Sequence, residues 1–423
     1  MRKGGEVAVF SAAALIVALL AGFGLGVWLL LARTWGAPMF GASWLVLVQV
    51  HGLIQLFGFA GLFLIGVALH VLPRFRGAPP APGRLVRVIF ASTVSGLTMR
   101  TVAQPPTDLP GRGLILIAGA ALLAFGTGCF AIAVLRILVA GRNPHRADEL
   151  VIAVGVLAMP VAALLVTLAV VGNASLVVDQ AAGDRALAAM LLGSLATVIF
   201  GVWARLAPGF VAAPPARPRR LLFGAAVWIC GVVNVIAGWP TGPWLLLAGL
   251  AVIVVAIGVF GPTIARQPLT GSARLTRLAV RSAFSWAFVG VALIVISGLG
   301  AGAEPLVISA ARHALGLGFV TMMIYGVGAR ALPAFLGRRL WSDRLQLATI
   351  VLTDLAVALR VGLQAGGATE PIANAIVGLS GLIAYAALVA FALNVLRTVR
   401  GPARPAARAD GLVRIDVTFP TRS

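Results

Sequence analysis

The sequence predicts an all-α fold, a polytopic membrane protein of about 12 transmembrane helices in three four-helix repeats with both termini cytoplasmic. Three observations carry this prediction. The 423 residues are 60% hydrophobic and only 11% charged, the balance of an integral membrane protein. Apolar runs long enough to cross a bilayer, at about 1.5 Å of helix per residue, recur along the whole chain. Basic residues fall in short blocks between those runs.

In order, the spans are expected at about 7–31, 44–72, 85–103, 113–138, 150–171, 185–207, 221–239, 243–265, 278–300, 310–332, 345–363 and 372–396. The first follows Met1-Arg2-Lys3, a start like that of a signal peptide. Its apolar run is too long for one and lacks a small-residue cleavage site, so it reads as a retained span. The second, from about Ser43 to Leu72, contains two of the four histidines, His51 and His70. The fourth and fifth flank the polar loop Arg142-Asn143-Pro144-His145-Arg146. The remaining connections are short, and Pro, Gly or Arg marks most of them. After Arg400, Pro402, Pro405 and scattered arginines read as a disordered cytoplasmic tail, 401–423, which leaves 1–400 as the membrane domain.

The net charge of +21 could suggest nucleic acid, but its distribution between apolar runs points to one side of a membrane instead. With the N-terminus inside, 27 of the 33 basic residues fall on the inner side. The other six are Arg33, Arg100, Arg112, Arg185, Arg312 and Arg360. Cys129 and Cys230 both lie in expected spans and say little about disulfides.

An internal repeat supports the layout. The second span ends His70-Val71-Leu72-Pro73-Arg74-Phe75, the sixth Arg205-Leu206-Ala207-Pro208-Gly209-Phe210, and the tenth Arg330-Ala331-Leu332-Pro333-Ala334-Phe335. A basic residue, two apolar or small ones, Pro, any residue and Phe thus recur every 125–135 positions. Arg100 and Arg360 each lie 27 residues after their proline, whereas the same offset in the middle unit reaches Val235, beside Asn234. Coincidence among apolar sequences is the weaker account. The units are expected at about 7–140, 150–266 and 278–398.

The repeat lets depths be compared. His51 and His70, 19 residues apart on one span, stand about 28 Å apart and cannot bind one ligand together. His51 precedes its anchor proline by 22 residues and His313 precedes Pro333 by 20, a difference of about 3 Å along a helix. Two neutral imidazoles at one level on facing helices are what a six-coordinate haem iron needs. Two unrelated histidines bonded to backbone or water are the bland alternative, and the match within a repeat disfavours it. Arg100 and Arg360 sit near the outer ends of the third and eleventh spans, where a buried guanidinium needs an anion. Haem propionates, Asp354 six residues inward of Arg360, and snorkelling to the headgroups are the three accounts; the histidine match favours propionates.

This plan, twelve spans with histidines on the second and tenth, resembles the haem-copper oxidase catalytic subunit. More closely, the chain resembles the NnrS family of bacterial haem-containing membrane proteins. The early family motif, His-Ala-His-Glu-Met-Leu-Phe-Gly-Phe, aligns with His51-Gly52-Leu53-Ile54-Gln55-Leu56-Phe57-Gly58-Phe59. The later one matches His313-Ala314-Leu315-Gly316-Leu317-Gly318 and runs on to Arg330. The resemblance implies a multi-pass protein of the bacterial inner membrane that carries b-type haem and is concerned with nitric oxide response or resistance. It also implies copper, for which the sequence offers no ligand set. The family's second His and its Glu are Leu53 and Ile54 here, and Arg205, Cys230 and Asn234 have no metal-ligand spacing.

His145 reads as a solvated inner-face residue. His70 has basic repeat equivalents, Arg205 and Arg330, so a cation at the inner membrane boundary is the simple account of it. A proton or quinone-headgroup contact is the other. Three function classes follow: a haem protein that handles nitric oxide or relays electrons from a quinone or other respiratory donor, a twelve-helix transporter without cofactor, and a cofactor-free assembly partner. Asp354 is the main acidic residue in the apolar body, which weighs against ion-coupled transport. No serine, cysteine or carboxylate arrangement suggests hydrolysis.

The charge distribution makes a topological prediction. Reporters fused after Arg220 or Arg400 are expected to read cytoplasmic and one at Asp108 periplasmic. A cytoplasmic signal at Asp108 would contradict the orientation and the shared depth of His51 and His313.

Overall fold

The computed structural model describes residues 5–38, 43–105, 109–171, 179–265, 267–299 and 305–401. Arg2, Lys3, Asp108, Arg266 and residues 402–423 of the expected tail lie outside the described residues. Twelve long helices and no strands occur among those described: α1 (5–35), α2 (Trp44–Arg76), α3 (Gly83–Ala103), α4 (Arg112–Ala140), α5 (Ala147–Val171), α6 (Gln180–Val211), α7 (Pro218–Ala237), α8 (Gly242–Ile257), α9 (Gly271–Leu299), α10 (Pro305–Phe335), α11 (Asp343–Ala365) and α12 (Pro371–Arg400). Eleven are long and apolar enough to cross a membrane, and the protein is a multi-pass membrane protein.

The exception is α8, at 16 residues. The sequence led us to expect a span to 265, because Val259, Phe260 and Ile264 continue the apolar run. The helix stops earlier because Gly258 adopts the left-handed conformation at φ 64°, a C-cap open to glycine without a Cβ clash. Arginines of α9 then hold the chain after it. Arg281 donates to the carbonyls of Val259, Phe260 and Gly261, and Arg277 to Gly261 at 2.8 Å.

Helices α2, α6 and α10 are the most enclosed spans and form a central column. Each contains a widened, π-helical stretch: Ile54–Gly61 in α2, Ala189–Ala196 in α6 and Ala314–Thr321 in α10. These stretches are offset by 135 and 125 residues, as are Pro73, Pro208 and Pro333 further along the same helices. The three stretches touch pairwise, so the column is closed at their level.

Around the column the neighbours repeat in order. The pairs α3–α4, α7–α8 and α11–α12 are tight antiparallel hairpins. Glycines allow two of them to approach closely: a Cβ on Gly96 would stand 2.6 Å from the Leu123 amide, and one on Gly249 2.6 Å from that of Trp228. Helix α5 packs on α6 and α4, α9 on α10 and α8, and α1 on α2 and α12. The last contact brings the first helix against the final one, with Thr34 Oγ1 donating to the Asn374 carbonyl at 3.4 Å.

The end of the column bearing the Pro-x-Phe segments is tied by rings. The Arg205 guanidinium of α6 lies 4.9 Å from the centre of the Phe75 ring of α2. Arg330 of α10 lies 5.4 Å from Phe210 of α6. His70 of α2 completes the circuit against Phe335 of α10, with ring centres 4.5 Å apart. Cation–π contacts of this kind gain strength away from water.

Just beyond, Arg76, only 1% exposed, clamps the turn between α4 and α5. It donates to the carbonyls of Leu138 and Gly141 at 3.1 Å each, to the Asn143 carbonyl, and to Glu149 Oε2 at 3.3 Å. Removing one member of a buried ion pair leaves the other uncompensated, at a cost of about 3–5 kcal/mol. Arg76→Leu is therefore expected to lower the unfolding temperature in detergent sharply. Replacing Glu149 by Leu as well should recover part of the loss, and additive losses in the double variant would contradict the pairing.

Candidate functional site

His51 stands three residues before the π stretch of α2, and His313 immediately before that of α10. The His51 ring leans on α1, where Nδ1 meets the carbonyl of Gly22 at 2.9 Å. Gly22 is itself the last residue of a short π stretch, Ala18–Gly22. Gly26, one turn on, makes the approach feasible: a Cβ there would stand 2.8 Å from His51 Cε1. In His313, Nδ1 meets the carbonyl of Ser309 at 2.7 Å. A carbonyl only accepts, so in each neutral ring Nδ1 carries the hydrogen and Nε2 keeps its lone pair.

The two histidines directly precede, or nearly precede, neighbouring π stretches. Helices α2 and α10 touch at their π stretches, and below them Phe59 packs toward Tyr325 with ring centres 6.5 Å apart. Space adjoins them. Nothing stands within 4 Å of where a Cβ would sit on Gly52 or on Gly316, although both glycines are half-buried. By contrast Gly58, Gly61, Gly318 and Gly328 of the same helices are in contact with neighbouring side chains.

Arg100 is 3% exposed. Its Nη2 donates to Gln104 Oε1 at 3.0 Å, while Nε and Nη1 have no partner among the described residues. Arg360 Nε is likewise buried and without a partner among those residues. Asp354, one of the partners the sequence suggested for it, is engaged elsewhere: it accepts from Ser282 Oγ and, at 2.9 Å, from Trp286 Nε1. Arg100 is linked to the helix of His51 through Gln104, whose Nε2 donates to Oε1 of Gln49, two residues before His51, at 3.0 Å.

The other two histidines stand apart, at the Pro-x-Phe end. His145 is exposed, near Arg76 and Glu149. His70 is 4% exposed and stacked on Phe335, so it is an enclosed ring and not a group on the rim.

Comparison with known families places this geometry. The family model described as NnrS protein matches residues 8–402. The chain belongs to the NnrS family. A search of curated proteins finds no match. Among solved structures, the cryo-EM structure of a heme-copper terminal oxidase dimer is similar, with a TM-score of 0.61 at 12% identity over 96% of this chain and 86% of that one. At that identity the likeness is one of fold. The relation in plan expected from the sequence holds, and this NnrS chain has an oxidase-like architecture.

The residues of this NnrS protein fit a haem. Each ring has Nδ1 on a backbone carbonyl, which leaves Nε2 its lone pair, and Arg100 and Arg360 hold buried N–H groups without partners among the described residues that suit acidic substituents. For copper the fit is absent, because no group of three or more His, Cys, Asp or Glu stands together among the described residues. Sequence reasoning missed Gly22, Gly26, Ser309, Gln49 and Gln104. The Gly22–Gly26 spacing is a legible sign of close helix approach. The glutamines stood out only as amides at the edges of apolar runs, and Ser309 contributes a backbone atom that no side chain announces.

Proposed function

We propose that the protein binds one b-type haem, which His51 of α2 and His313 of α10 would hold through Nε2. It serves nitric oxide response or resistance, or electron transfer, in the bacterial inner membrane. The observation that carries this is the shared state of the two rings: each has Nδ1 tied to a backbone carbonyl and Nε2 free, at touching π stretches of facing helices. When bound, the haem supplies a one-electron couple at iron.

The chain's own residues do the rest. The carbonyls of Gly22 and Ser309 fix ring orientation and raise the basicity of the opposite nitrogens. Gly52 and Gly316 leave room for a flat ring beside the helices. Arg100 and Arg360 would hold the propionates, whose negative charge would answer two cations otherwise costly at that depth. Three repeated units, 7–140, 150–266 and 278–398, with the Pro-x-Phe end and both termini in the cytoplasm, complete the reading. The cyclic neighbour order and the equal offsets of π stretches and prolines support it. Nitric oxide, a quinone or another respiratory donor are the proposed partners. Copper enters by family resemblance and is given no residues.

The purified protein is expected to show a Soret band and sharp reduced bands. His51→Ala and His313→Ala should each abolish or convert the low-spin spectrum, whereas His70→Ala and His145→Ala should preserve it. A protein purified without haem, or one indifferent to both axial variants, would sink the proposal.

Gly26 gives an independent check. Gly26→Val drives a side chain into the His51 ring and should lower haem retention, while Gly128→Ala on α4, with open space around it and no part in the site, should change retention far less. Arg100→Leu and Arg360→Leu are expected to shift the potential or weaken retention while the spans still insert. An unchanged potential and haem content in both would favour snorkelling.

A further inference from the structure

Arg100 is held by a neutral partner. Gln104 forms the C-cap of α3 and is 1% exposed, and every polar group of its side chain is used. Oε1 accepts from Arg100 Nη2, and Nε2 donates to Gln49 on α2. Its backbone is used as well, since the carbonyl accepts from Arg112 Nη2 and Arg112 Nε donates to the Ala103 carbonyl at 2.7 Å. Arg112, the first residue of α4, therefore caps α3 and fixes the amide that holds Arg100.

The chemistry of the amide decides what this arrangement does. A glutamine accepts from a guanidinium and donates to a second amide while adding no charge. A carboxylate here would neutralise Arg100, and an apolar residue would release it. The observed arrangement spends one N–H group on direction and leaves Nε and Nη1 without partners among the described residues, at 3% exposure. Gln49 ties that direction to the helix segment that carries His51.

We propose that Gln104 is a positioning residue that aims the uncompensated charge of Arg100 at an anionic edge of the cofactor, with Gln49 coupling it to the His51 helix. This rests on the haem reading above. A cation held close stabilises the reduced iron, which carries one positive charge fewer, and so raises the midpoint potential.

The test is a double-mutant cycle read by redox titration of the holoprotein. Q104L should lower the midpoint potential when Arg100 is present and produce no further change in the R100L background. Equal shifts in both backgrounds, or none in either, would overturn the positioning role. If Q104L does not yield folded protein, Q49L carries the same cycle, with a smaller downward shift that R100L abolishes; an additive shift overturns the role there too. A wild-type protein that purifies without haem removes the haem reading and this inference with it. A haem-loaded protein with additive shifts removes this inference alone.

Discussion

In a bilayer, a backbone carbonyl released from its helix must find a donor within the protein. The central column of this fold is organised by that constraint. A π turn inserts a residue and loosens the regular ladder, and the column carries such a stretch in each of α2, α6 and α10. Side chains supply donors at these places. Trp228 Nε1 and Thr197 Oγ1 both serve Leu192 at 3.1 Å, Thr321 Oγ1 serves Gly316 at 2.9 Å, and His51 of α2 serves Gly22 at the end of a fourth such stretch, in α1. Where the donor is an imidazole, a second nitrogen is left with a lone pair. Where it is an indole, nothing is left to bind with. The same structural demand thus leaves an imidazole nitrogen with its lone pair at α2 and a filled, aromatic core at α6, where Trp228 packs on Phe200 at 5.1 Å.

Charge follows the column. At one end Arg205, Arg330 and His70 are each stacked on a phenylalanine of the neighbouring helix, closing a ring of three contacts. At the other, Arg100 and Arg360 keep buried N–H groups without partners among the described residues. The contrast separates roles. The ring contacts of Arg205, Arg330 and His70 hold helices together, whereas buried donors without partners among the described residues are the costly groups that the proposed anion would satisfy.

Much of this was legible in the sequence. Apolar runs located the twelve helices, and the Pro-x-Phe recurrence marked the three that make the column. Depth counted from the prolines put His51 and His313 at one level because a helix rises by a constant step. The physical limits of that reading are equally specific. Gly258 ends α8 by a left-handed turn that apolar periodicity does not register. The π stretches differ from α-helix by one residue, below the resolution of hydropathy. The Gln49–Gln104–Arg100 chain joins residues 49, 100 and 104 through tertiary contact, and no local pattern encodes it.

The central claim is that two imidazoles share one iron, and electron paramagnetic resonance of the oxidised, purified protein tests it most directly. The account predicts a low-spin ferric signal of two neutral imidazole ligands, replaced by a high-spin signal when either His51 or His313 is changed to Ala. A high-spin signal in the unaltered protein, or a low-spin signal that survives both substitutions, would contradict it.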